Sequence, residues 1–215
     1  MGKITALTRQ RRNQERINVF IDGTFAFGLA EITAVYLRVG QELSPADIEK
    51  LQGADQVEKA KELAIRYIEY RPRSLAETRQ HLQKKEYPEA VVEQVLERLQ
   101  AVGLLDDAAF ARYWVDQRET FKPRSKIALQ QELRQKGLER TLIDEVTAEL
   151  DEFAAAQQAA EPKARRWSNL PEQQFRQKLG GFLQRRGFGY DVVREVTKAL
   201  WDEFGTEASD NSDYF

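Results

Sequence analysis

The residues in this chain best placed to do chemistry are cations, and they recur in a phrase. Residues 71–86 read RPRSLAETRQHLQKKE and residues 122–137 read KPRSKIALQQELRQKG. Guanidinium and ammonium groups can pair with carboxylates or phosphates, the guanidinium through two parallel hydrogen bonds. They bring no nucleophile and no metal ligand. Arg71, Arg73, Lys122, Arg124 and Lys126 fall where one helix stops and the next starts, so solvation or capping is their ordinary use. The functional reading is that corresponding loops present their bases to an acidic partner. Arg134 and Lys136, with Lys84, Lys85, Arg185 and Arg186, precede a second turn, where positive charge also suits a helix C-terminus. Arg165 and Arg166 precede Trp167, a ring that could stack on a base, as could Tyr113 or Trp114. The helical spacing of Trp114 favours burial instead.

Other chemistries are poorly served. There is no cysteine and one histidine, His81, which removes thiolate metal sites and leaves nothing for a histidine zinc site or a Ser-His-Asp triad. His81 reads as an ordinary polar position on a helix. Asp106-Asp107 resembles a metal pair, but Asp106 stands where a helix needs a cap, a role aspartate fills well. No Walker loop, dinucleotide fingerprint or nucleophile elbow is present. A non-enzyme without cofactor is expected.

Charge is segregated behind a net value of −2. Residues 1–20 hold five bases against one acid, residues 161–200 hold nine against four, and the last fifteen residues hold five acids and no base. A near-neutral total therefore does not exclude a polyanion partner. Arg9, Arg11, Arg12 and Arg16 flank candidate strands, as edge protection or as an arm for such a partner. With no signal sequence and no long apolar run, a cytoplasmic monomer away from the membrane is expected.

The elements that carry these side chains begin with residues 1–54, which look β-rich. RINVFI and TFAFGL surround Asp22-Gly23, a strong hairpin signal, and ITALT could add a strand. Ser44, Pro45 and Asp47 start a helix that Gly53 could end. Beyond residue 57 the pattern is helical and repeats. Residues 81–99, 132–150 and 182–200 align without gaps at shifts of 51 and 50 positions. Leu82, Leu133 and Leu183 coincide, and Val92, Val95 and Leu99, with their counterparts Ile143, Val146 and Leu150 and Val193, Val196 and Leu200, fall at i, i+3 and i+7 on one helix face. Each repeat holds three helices, giving units at 57–104, 105–151 and 152–204, with an acidic tail at 205–215 expected to be disordered. The second unit has Asp106 as first cap, Pro123 as breaker and Ser125 as second cap, and its third helix covers 140–150. Units this small share apolar surface with neighbours. The expected fold is mostly α: a tandem array of three three-helix repeats, elongated and curved, with a small N-terminal β-hairpin unit.

The RPRS and KPRS signatures, LLDDAAFARYWV (104–115), ELRQKG, FLQRRGFGYDVVREV and the RINVFIDGTFAFGL hairpin together resemble the RecX family, regulators of the RecA recombinase. The resemblance runs over most of residues 4–204. It implies a protein that binds the RecA filament in its groove across more than one protomer, and lowers ATP hydrolysis, strand exchange and the coprotease activity behind the SOS response. Weaker, salt-dependent contact with single- and double-stranded DNA would accompany it. Two departures stand out: Glu86 replaces the glycine of the matching turns, and Gly180-Gly181 interrupt the third unit. The alternative is a general DNA-binding helical repeat acting without RecA. Under the first reading, charge reversal at Arg124 and Lys126 should weaken filament binding more than folding.

Overall fold

The structure is a computed structural model and describes residues 1–205; the acidic tail lies outside the described residues except for Gly205. The Asp22-Gly23 pair folds as the spacing predicts. Both residues take positive φ, 49° and 81°, and such a two-residue turn matches the right-handed twist of the strands it joins. It links β2 (Arg16–Ile21) to β3 (Thr24–Ala30), and β1 (Gly2–Arg9) pairs antiparallel on the other side of β2. The short β4 (Glu42–Leu43) completes a sheet of order β3-β2-β1-β4. One face buries Ile4, Val19, Phe27 and Leu29, with Ala34 from the short α1 (Glu31–Ala34) and Leu43.

Ser44 starts α2 (Pro45–Tyr70) through a capping box with Asp47. Here one expectation fails, because the helix does not end at Gly53 but continues to Tyr70, 26 residues in all. A mid-helix glycine costs about 1 kcal/mol relative to alanine, and tertiary contacts on both sides of it outweigh that cost. Ile48 and Leu51 pack on the sheet core, while Val57, Ala60 and Ala64 enter the core of the first three-helix domain. One rod thus serves both cores.

That first domain adds α3 (Leu75–Gln83) and α4 (Glu89–Ala101). Ser74 and Glu77 form a second capping box. At the following turn Glu86 holds φ at 62°, where the matching residues are Gly137 at 80° and Gly187 at 91°. The turn keeps its left-handed geometry in all three repeats, and only the first places a side chain there.

The chain divides into two compact units, one of residues 1–106 and one beginning at Asp107. The second unit holds α5 (Asp107–Phe121), α6 (Lys126–Gln135), α7 (Arg140–Val146), α8 (Glu152–Trp167), α9 (Glu172–Gln184) and α10 (Tyr190–Phe204). Ser125 caps α6 by accepting from the Ala128 amide. Helix α7 stops at Val146, four residues before the expected end, and Thr147 Oγ1 bonds back to the Ile143 carbonyl. The Gly180-Gly181 pair does not break α9; an added Cβ on Gly180 would sit 3.5 Å from Val193 Cγ1, an ordinary contact. The repeat alignment holds in three dimensions: Leu82, Leu133, Leu183, Val92, Ile143 and Val193 are all buried. The chain is mostly α, with three three-helix domains behind a small strand unit.

Candidate functional site

In the first [RK]-P-R-S loop the cations face inward. Arg71 caps the end of α2 and grips Glu77 with both terminal nitrogens, at 2.8 and 3.3 Å. Arg73 is only 11% exposed at its side chain, donates to the Tyr67 carbonyl and lies 3.9 Å from the centre of the Tyr67 ring. That ring also stacks parallel to His81, centroids 4.0 Å apart. His81 is therefore not an ordinary polar position. Burial, then Lys85, Arg73 and Lys84, hold its pKa below the ordinary value of 6.5, because each disfavours a further positive charge.

The second loop divides its charges differently. Lys122 is exposed and Lys126 half-buried, whereas Arg124 turns to Glu132, Nε to Oε1 3.0 Å. The Arg124 Nε–H is not aimed at that oxygen, so the contact is an ion pair without a hydrogen bond. Glu132 also receives Trp114 Nε1 at 2.8 Å and Arg118 Nε at 2.7 Å, which makes it the centre of a half-buried network. Trp114 packs against the domain core as its spacing predicts, with Arg118 and Lys136 over its ring. Arg134 is exposed.

In the third domain Arg165 pairs with Glu161 and lies over Phe204, while Arg166 and Arg185 are exposed. Arg186 is a fastener. It donates to the Pro123 carbonyl at 2.9 Å and lies over Phe182, and its own carbonyl accepts from the Ser125 amide. Burial, then the nearby Arg124, lower its pKa. Gly187 packs directly on Ser125, so that an added Cβ would fall 2.6 Å from Ser125 Oγ. Lys126 N donates to Glu152 Oε1 at 2.8 Å. The turn of the third domain is thus locked onto the loop of the second.

The N-terminal cluster also splits. Arg9 pairs with Glu31, and Arg16 is inside, bonded to Asp55 at 3.0 Å with side chains 13% and 5% exposed. Burial raises the Asp55 pKa, but hydrogen bonds from Arg16, Lys59 and the Ala30 amide outweigh it and bring it below the ordinary value. Arg11 and Arg12 are exposed. Neither Asp55 nor the Tyr67–His81 stack carried a signal in the sequence, since each depends on partners from distant segments. Among the described residues no group of three or more acidic, histidine or cysteine side chains could hold a metal ion, and no helix is long and apolar enough to cross a membrane.

Comparison with known proteins accounts for the whole layout. Family models match in chain order: the Regulatory protein RecX N-terminal domain over residues 2–44, and the first, second and third RecX three-helix domains over 60–99, 106–146 and 150–197. Among relatives called Regulatory protein RecX, that of Bacillus licheniformis is 32% identical over 198 residues, covering 90% of this chain and 75% of its own. That of Bacillus velezensis is 32% identical over 213 residues, covering 97% and 81%. A crystal structure of regulatory protein RecX superposes with a TM-score of 0.74 at 28% identity, covering 92% of this chain and 100% of the other. RecX from Lactobacillus salivarius, at 20% identity, TM-score 0.59 and coverage of 68% and 97%, is alike in fold. With all four domains matched in order and relatives above 30% identity spanning nine-tenths of the sequence, the chain belongs to the RecX family of regulatory proteins.

Proposed function

We propose that this chain binds the RecA filament on DNA, along its groove, and lowers RecA's ATPase, strand-exchange and coprotease activities, thereby tempering DNA repair and the SOS response. The observation that carries the reading is the full set of RecX domains in order, from strand unit to third three-helix domain. It would act as a cytoplasmic monomer, by binding and without catalysis. The exposed cations Lys122, Arg134, Arg166 and Arg185 are the members of the candidate set we assign to the acidic surfaces of the filament, protein or phosphate. Arg73, Arg124 and Arg186 are assigned to the fold that presents them, with Arg71, Lys126, Lys136 and Arg165 in mixed roles.

The decisive experiment titrates this protein into RecA with single-stranded DNA, following ATP hydrolysis and strand exchange at two salt concentrations. Saturable inhibition of both at protein-to-RecA ratios below one supports the reading. Binding to DNA that leaves RecA's activities untouched would establish the general DNA-binding alternative instead.

A further inference from the structure

Packing and capping leave one shared property of the two [RK]-P-R-S loops unexplained. The residue before each loop is a large aromatic in water: Tyr70 is 86% exposed and Phe121 is 76% exposed. They are the last residues of α2 and α5, and they stand 51 positions apart, the same shift that aligns the first two repeats. One exposed ring needs no explanation. Two at matched positions, neither a member of its domain's core, point to a use outside the fold.

Their surroundings define that use. Each ring is followed directly by a base, Arg71 or Lys122, and the first turn of α6 adds Lys126 and Ile127, the latter 71% exposed. The Phe121 loop is firmly seated: Pro123 and Ser125 are buried, Ser125 caps α6, and Arg186 clamps the Pro123 carbonyl. A ring on such a turn loses little freedom when it is covered, and Tyr beside Arg is a composition that dominates protein interfaces. Ile127 decides between protein and nucleic acid. Phosphate requires only the cations and a base requires only the ring, whereas a branched aliphatic side chain gains chiefly against apolar surface.

We infer that Tyr70 and Phe121 are matched anchors, each entering an apolar pocket with an acidic rim on a protein partner. The rim follows from charge complementarity with Lys122 and Lys126 beside Phe121; beside Tyr70, Arg71 is paired with Glu77 and keeps 36% of its side chain in water. Two similar anchors in one chain suit a partner that offers the same pocket repeatedly, as a polymer of identical subunits does. The inference rests on the function proposed above, in which that polymer is the recombinase filament.

The test uses Tyr70→Ala, Phe121→Ala and the double variant, with p-benzoylphenylalanine placed at position 121 in a separate sample. Both rings are exposed, so the thermal midpoint stays where it is. Each single change should raise the concentration for half-inhibition of RecA ATPase about tenfold, the loss expected for an interface anchor, and the double change should raise it further. Binding to an oligothymidylate without RecA should be unaltered, and the photo-cross-link should form to a RecA protomer. Unaltered inhibition by the double variant would overturn the inference. So would a cross-link to DNA, or oligothymidylate binding lost in step with inhibition, because either would make the rings base-stacking groups. If the wild type itself does not inhibit RecA, the proposed function fails and the anchors with it; if only the variants' effect is missing, the anchors alone fail.

Discussion

The Arg186 guanidinium donates to the carbonyl of Pro123, 63 residues earlier, at 2.9 Å. Beside it the Arg186 carbonyl accepts from the Ser125 amide, and Gly187 rests on Ser125 and Ala128. Two short motifs that the repeat pattern writes separately, the stop-and-cap of one domain and the glycine turn of the next, meet as one contact. In an array of small domains such a contact supplies burial that neither domain can supply alone.

Gly187→Ala should therefore be more damaging than a surface turn substitution. Its φ of 91° disfavours any side chain, and the new methyl would fall 2.6 Å from Ser125 Oγ. Strain and displacement together should cost about 2 kcal/mol or more. Arg186→Ala, which removes a charged donor, should cost about 1–2 kcal/mol. Urea midpoints of the two variants check this, and a Gly187→Ala protein as stable as the wild type would show that the turn is not clamped.

Glu86 offers the opposite change. It is exposed and holds the left-handed φ that its counterparts assign to glycine, a conformation costing about 1–2 kcal/mol for a residue with a Cβ. Glu86→Gly relieves that strain but frees the unfolded chain by about 0.4–1 kcal/mol. A net gain of about 0.5 kcal/mol is expected. A lowered urea midpoint would mean that the Glu86 side chain makes a contribution of its own.

The hairpin, the Ser44 and Ser125 caps and the glycine turns were legible because each is decided within a few residues by sterics or a local hydrogen bond. The repeat was legible because Val92, Val95 and Leu99 mark one buried helix face and the apolar pattern returns at shifts of 51 and 50 positions, as at Leu82, Leu133 and Leu183. What escaped was set by remote partners. Gly53 is a local stop signal, overridden because the next turn carries Asp55, whose partners Arg16 and the Ala30 amide lie 39 and 25 residues away. Arg73 and Arg186 read as surface charge, and no spacing rule reveals that a Tyr67 ring or a Pro123 carbonyl is waiting for them. The cations left exposed, Lys122 and Arg134 among them, became distinguishable from the fastening arginines only in three dimensions.

The pair formed by Asp55 and Arg16 should dominate the acid response of the first unit. Because the folded-state pKa of Asp55 lies below its ordinary value of 3.8, its contribution is complete above that value and is lost as pH falls through the folded value. Arg16→Ala leaves a buried carboxylate with Lys59 as its remaining cation, at an expected cost of about 3 kcal/mol. Asp55→Asn should flatten the dependence of stability on pH below 4 or so. Acid titrations of the thermal midpoint for the three proteins test it, and parallel curves would refute the assignment.

His81 should act in a higher window. Its folded-state pKa is depressed by burial and by Lys85, Arg73 and Lys84, so the unfolded chain takes up the proton first. Stability is then complete above the ordinary value of 6.5 and declines as pH falls from there through the lower folded value. His81→Phe keeps a ring on Tyr67 and removes the titration. The wild type should lose thermal stability relative to this variant between about pH 6.5 and 5; a constant difference across that range would show that the imidazole does not sense the cluster.

Charge reversal is best directed by the division of the cations. Reversing Arg124 places a carboxylate beside Glu132 and takes a charge from the network that holds Trp114 and Arg118. A loss of inhibition would then be confounded with a loss of fold. Lys122 and Arg134 are exposed, and exposed charges contribute little to stability, roughly 0–1 kcal/mol. Lys122→Glu with Arg134→Glu should leave the urea midpoint within about 0.5 kcal/mol of the wild type while raising the concentration for half-inhibition of RecA. Because screening acts on solvent-exposed charges, the defect should shrink as salt rises and wild-type binding itself weakens. Inhibition equal to the wild type at low salt would remove these two cations from the filament interface, and a defect independent of salt would mean that they act through packing rather than charge.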